Sequence, residues 1–171
     1  MHIRTPRRAV VALAASALGL GAGAIYGVAA LATPGINFLS ETLARTYVDQ
    51  IAVNTTGQSG HRVKIQVKDP SDVYVVRNTV PPGGQSGWHT HPGPSIVSVT
   101  AGVATVYHGD DPSCTPVTYP AGTAFVDPVA AEHVHMVRNE GNVDLVTVAF
   151  QIIPAGAGRR IDAPDPGYCG F

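Results

Sequence analysis

Charge is scarce in this 171-residue chain, with Asp, Glu, Lys and Arg together making up 13% of it. Neither sign prevails, since 11 basic and 12 acidic side chains give a formal net charge of −1. Three of the basic residues (Arg4, Arg7 and Arg8) stand in the first 32 positions, where there is no acid, so the remainder carries −4. A mildly acidic body has no electrostatic footprint for a phosphate backbone, which excludes a nucleic-acid partner. Cysteine is almost absent. Cys114 and Cys169 are the only two, and neither has a close-spaced second cysteine with which to hold a metal. Amphipathic helices are missing as well. After residue 32 only Phe38 to Tyr47 could hold a short one.

Glycine (19) and proline (14) are abundant, against 44% apolar residues. That is a globular composition rich in turns. The first 32 residues stand apart from the rest. Arg4, Arg7 and Arg8 precede an uncharged apolar run from Ala9 to Ala32 that ends in Ala30-Leu31-Ala32. This is the layout of an export signal cleaved after a small-x-small site, so a secreted or cell-envelope protein is expected. The run is also long enough to span a bilayer, and an uncleaved segment would leave the chain membrane-anchored. Arg7-Arg8 matches a twin-arginine signal poorly. In an oxidising compartment Cys114 and Cys169 are expected to form one disulfide.

From Thr33 to about Ser40 the composition is that of a linker. Beyond it, short β-branched or alternating runs follow one another: Val63–Lys68, Val73–Val76, Ile96–Val99, Val103–Tyr107, Thr123–Val126, Val134–Val137 and Leu145–Ile153. Turn clusters separate them, such as Pro81-Pro82-Gly83-Gly84 and Asn139-Glu140-Gly141-Asn142. Such spacing predicts an all-β sandwich or barrel. The organisation expected is an export segment or anchor (1–32), a linker with N-terminal strands (33–72), a barrel (73–154) and a Gly/Pro-rich tail (155–171) wrapping the surface.

Five of the seven histidines fall between positions 89 and 135. His89 with His91, and His133 with His135, have His-x-His spacing, which on a strand puts both rings on one face. Imidazole suits first-row divalent metals, so converging pairs would form a metal site. Exposed strand histidines are the alternative.

The stretch from Gly83 through Trp88-His89-Thr90-His91 to Gly102 resembles the first motif of the cupin superfamily, a Gly followed after five residues by His-x-His. A second, looser match runs from Gly122 through Pro128 to His135 and Asn139. Ala130 stands there in place of a Gly, and two extra residues precede His135. The resemblance implies a double-stranded β-helix, or jelly-roll, barrel. It carries metal ligands over to His89, His91 and His135, for Fe, Zn, Mn, Ni or Cu. The glutamate the motif expects is missing, because Ser95 and Ile96 occupy its place. What is left is similar to the three-histidine sites of cysteine dioxygenase and related thiol or diketone dioxygenases.

Around these ligands, His133 is either a further ligand, a base beside the metal, or a solvent-exposed rim residue. Asp127 and Glu132 are candidate acids or bases placed in a loop. Tyr107 and His108 would line a pocket or face water. Trp88 is expected to pack and Asn139 to satisfy turn backbone. Arg159 and Arg160 read as a solvated pair, leaving Arg138 as the one candidate arginine for reading a substrate.

The readings that follow are a metal-dependent enzyme, such as an oxygenase acting on a small molecule, or a non-catalytic metal- or ligand-binding cupin. A barrel with an empty, degenerate site is disfavoured by the two surviving His-x-His pairs. A small-molecule ligand and a homodimer through strand edges before Val73 are the expected partners.

Overall fold

The computed structural model describes residues 32–127 and 133–171. Residues 1–31 of the expected export segment or anchor therefore lie outside the described residues, as do Pro128, Ala130 and Glu132. Among those described there are twelve strands: β1 (Leu39–Val48), β2 (Ile51–Thr56), β3 (Arg62–Val67), β4 (Ser71–Val80), β5 (His89–Thr90) and β6 (Ser95–Ala101), then β7 (Val103–His108), β8 (Val117–Pro120), β9 (Ala124–Asp127), β10 (His135–Arg138), β11 (Leu145–Pro154) and β12 (Ile161–Asp162). No helix among the described residues is long and apolar enough to cross a membrane.

The strands form two five-stranded antiparallel sheets, ordered β1-β4-β11-β6-β9 and β12-β5-β10-β7-β8. The hairpin β2-β3 stands apart from both. Along β11 every second residue is buried, from Leu145 through Thr147, Ala149 and Gln151 to Ile153. This is the period-two pattern that places one face of a strand against the core. Val76, Val80, Val99, Leu145 and Ile153 of the first sheet pack with Ala104 and Val106 of the second in one buried cluster. Each of the valine, leucine and isoleucine side chains contributes about 1.5–3 kcal/mol on burial. Two facing sheets of this kind make a jelly roll, the all-β fold expected from the strand pattern. Gly102, with φ 72°, turns β6 into β7, and a Cβ there would lie 2.7 Å from the Asp144 carbonyl oxygen. No side chain fits in that space.

Several segments differ from expectation. Phe38 to Tyr47 holds no helix, because β1 is an edge strand running antiparallel along β4 from Leu39↔Thr79 to Val48↔Ser71. The neighbouring strand supplies hydrogen-bond partners that local propensity cannot anticipate. β8 was not foreseen in the loop around Cys114, and it pairs with β7. The alternating run Val63–Lys68 forms β3, yet Ile65 is exposed, since the β2-β3 hairpin has no third layer to cover it.

The residues before β1 run along the barrel. Ile36 exchanges backbone hydrogen bonds with Gln85 (both 2.8 Å), and the Thr33 N–H donates to the Ala163 carbonyl (3.0 Å). The tail docks as β12 beside β5, and the Ala163 N–H donates to the Trp88 carbonyl (3.0 Å). Trp88, Tyr107, Met136 and Ala163 form a second buried cluster, against which Cys114 and Cys169 pack. These two cysteines are disulfide-bonded across 55 residues of chain.

Candidate metal centre

The three histidines named by the first and second motifs come together. His89 is on β5, His91 follows it directly, and His135 opens β10 opposite His89 in the ladder. All three are buried, and their ring centroids stand 4.3–5.3 Å apart. One ring nitrogen from each lies within 4.8 Å of the others.

Hydrogen bonding fixes which nitrogen that is. The His89 Nδ1–H donates to the Gly87 carbonyl (2.9 Å) and the His91 Nδ1–H to the Arg159 carbonyl (2.7 Å). The His135 Nδ1–H points to the His133 carbonyl (3.3 Å). A carbonyl only accepts, so each Nδ1 carries the proton and each Nε2 keeps a free lone pair. His135 Nε2 is buried and has no hydrogen-bond partner among the described residues. Three neutral imidazoles oriented by carbonyls, with Nε2 converging, fit a first-row metal ion. Burial also disfavours protonation. It is the main reason the His89 and His91 imidazoles titrate below the ordinary range, and it pushes His135 down to about 4.

Asp127 was expected in a loop. It ends β9 instead, directly across from Ser95 of β6, and both are buried. One of its carboxylate oxygens, Oδ2, lies 3.7 Å from His91 Nε2 and 3.6 Å from His135 Nε2. These distances are too long for hydrogen bonds. They are close to the separation of neighbouring ligand atoms around one ion, roughly 3–3.5 Å for bonds of 2.0–2.1 Å. Burial raises the Asp127 carboxyl to about 6.

His133 is half-buried and precedes β10, so it does not share a strand face with His135, and its carbonyl is what orients the His135 ring. Trp88 is buried in the second cluster, as expected. Asn139 is a structural residue. Its Nδ2 donates to the carbonyls of Val80 (2.7 Å) and Val143 (2.8 Å). Tyr107 packs in the second cluster and donates its hydroxyl proton to Glu140 (2.8 Å), away from the histidines.

The arginines reverse expectation. Arg138 lies 3.2 Å from Glu140 and stacks over Phe171 at 3.9 Å, and it is not among the residues that line the cavity beside the histidines. Arg159 and Arg160 are not a solvated pair, because both line a cavity of about 280 Å³ shared with the three histidines and Asp127. The tail brings them there through β12, a two-residue strand with no sequence signal of its own.

Against known proteins, no curated sequence matches this chain. Among solved structures it is similar to a cupin superfamily protein from Desulfitobacterium hafniense DCB-2 (15% identity, TM-score 0.45, covering 68% of this chain and 77% of that one). It is also similar to a protein with a double-stranded β-helix domain from Klebsiella pneumoniae (22% identity, TM-score 0.44, covering 67% and 84%). A third is a predicted oxalate decarboxylase from Thermotoga maritima (21% identity, TM-score 0.39, covering 50% and 83%). Likeness at this level transfers no activity. Residues 76–150 match the family model described as Cupin domain. That match runs from β4 into β11 and contains all three clustered histidines, so these strands of the chain carry a cupin domain.

Proposed function

We propose that this cupin holds one divalent first-row metal ion through Nε2 of His89, His91 and His135, with Asp127 supplying a carboxylate oxygen. We further propose that it takes a small molecule in the adjoining cavity. The observation that carries this reading is the shared hydrogen-bond pattern of the three rings, each with Nδ1 committed to a carbonyl and Nε2 left free inside the barrel. A bound ion would supply a Lewis-acidic centre with open positions, and with iron a redox-active one.

The chain's own residues do the rest. The carbonyls of Gly87, Arg159 and His133 hold the rings in one tautomer. Asp127 offsets part of the ion's charge. The apolar wall formed by Val97, Phe125 and Leu145 limits water around the ligand. The disulfide supports an exported protein, because such bonds persist in oxidising compartments.

Elemental analysis of protein purified from its native host, beside His89→Ala and His135→Ala variants, tests the site. About one ion per parent chain and none in the variants is expected. Equal metal in all three would overturn the ligand set. An oxygenase and a non-catalytic binder differ in dioxygen uptake by the iron-loaded protein over a panel of thiols, diketones and phenols. Uptake with any of them establishes the enzyme, and none with any establishes the binder.

A further inference from the structure

The cavity beside the histidines has an unbalanced wall. On β11 its lining residues run Leu145, Thr147, Ala149 and Gln151, so it is apolar at one end and polar where Gln151 meets the centre. Gln151 Nε2 approaches His91 and Ser95, and its Oε1 accepts from Arg159 Nη1 (3.4 Å). Arg160 stands at the same end. Its Nε is held by Asp162, and the residue lines the cavity. Arg160 Nη2 is buried, and no acceptor reaches it among the described residues.

A guanidinium N–H out of water without an acceptor is costly, and a bound carboxylate is the group whose geometry relieves it. Charge points the same way. The rings are neutral, and Asp127 and Asp162 only offset Arg159 and Arg160. With a divalent ion bound, the site as a whole would therefore keep a net positive charge until an anion arrived. A purely polar anion such as phosphate would leave the apolar end of the cavity empty.

We propose that the cavity selects a small organic acid with an apolar body, its carboxylate reaching Arg160 Nη2 beside the metal and its body lying along Val97, Phe125 and Leu145. The proposal rests on the metal-binding reading for its charge balance, but its contact with Arg160 is separate from the ligand set.

Isothermal titration of the metal-loaded full-length protein with benzoate and hexanoate, against benzamide and hexanamide, reads the preference directly. The parent should bind each acid at least about tenfold more tightly than its amide, the size of one hydrogen bond to a charged group. Arg160→Gln should lose that preference and keep both amide affinity and metal content, while Arg160→Lys should retain part of it. Equal binding of acid and amide by the parent overturns the proposal. So does parent-like acid binding by Arg160→Gln, or no binding of either acid at millimolar concentration. If Arg160→Gln does not fold, the acid-over-amide ratio of the parent and of Arg160→Lys still decides. Elemental analysis of the same samples separates the two readings. A metal-free parent that still prefers acids in an Arg160-dependent way refutes the metal centre and not the acid site.

Discussion

Ser95 and Asp127 face each other across the β6-β9 ladder, so the buried carboxylate sits one strand away from the position where the first motif expects its glutamate. Sheet geometry brings cross-strand neighbours to about 4.5–5.5 Å between Cβ atoms, and either position can therefore deliver an oxygen to the same centre. Asp127→Asn should weaken metal affinity by about tenfold or more while leaving the fold intact, as measured by competition with a chromogenic chelator. Adding Ser95→Glu to Asp127→Ala should recover part of the loss. Unchanged affinity in Asp127→Asn would remove the carboxylate from the site.

The histidines and most of the barrel were legible because their signals are local. β-Branched, apolar runs bounded by turn clusters mark β4, β6 and β11, and His-x-His spacing marks His89 with His91. Asp127 was not legible as a partner of His91 and His135. Its role comes from the register of β9 on β6, which sequence spacing does not encode. Arg160 was hidden for a related reason: a Gly/Pro-rich tail carries no periodicity, and only its pairing with β5 through Ile161 and Asp162 brings the arginine to the cavity. β1 was obscured because nine of its ten residues are exposed, so no buried face patterns it.

The disulfide that pins this tail should contribute stability without touching the metal. Cys114 and Cys169 close a loop of 55 residues, worth about 4 kcal/mol in the chain-entropy account. The double variant Cys114→Ala/Cys169→Ala should lose up to that amount in urea unfolding and keep its metal. Amide exchange around Ile161 to Ala163 should quicken, because β12 then depends on its few hydrogen bonds to β5 and Trp88. Unaltered exchange there would show that the strand docks without the crosslink.

Asp72 predicts the acid limb of stability. It accepts hydrogen bonds from Arg45 Nη2 of β1 and from the Gly156 N–H of the turn after β11, both at 2.8 Å. The bond from Arg45 is the larger reason that its carboxyl titrates below the ordinary range, and the Gly156 bond adds to it. Folding thus favours the charged form. That stabilisation is complete above the unfolded value, about pH 4, and is lost as pH falls through the lowered folded value. Asp72→Asn should therefore melt below the parent at pH 7, and the gap should close on acidification below about pH 4. A gap that stays constant through that window would show that charge plays no part in the link.

Gly87 connects the start of the described chain to the histidines. Its φ is 68°, and a Cβ there would lie 2.3 Å from the Thr33 carbonyl oxygen, whose residue also accepts from the Trp88 N–H through Oγ1 (2.8 Å). Gly83 has a similar φ of 78°, but nothing stands within 4 Å of its added Cβ. Substitution by Ala at either position carries the left-handed penalty of roughly 1–2 kcal/mol. Only at Gly87 must the backbone also move, and the atom that moves with it is the carbonyl that orients His89. Gly87→Ala should therefore weaken metal binding well beyond Gly83→Ala and also lose more thermal stability, in parallel chelator competitions and melts. Matching metal affinities in the two variants would mean that the His89 ring holds its place without the Gly87 carbonyl.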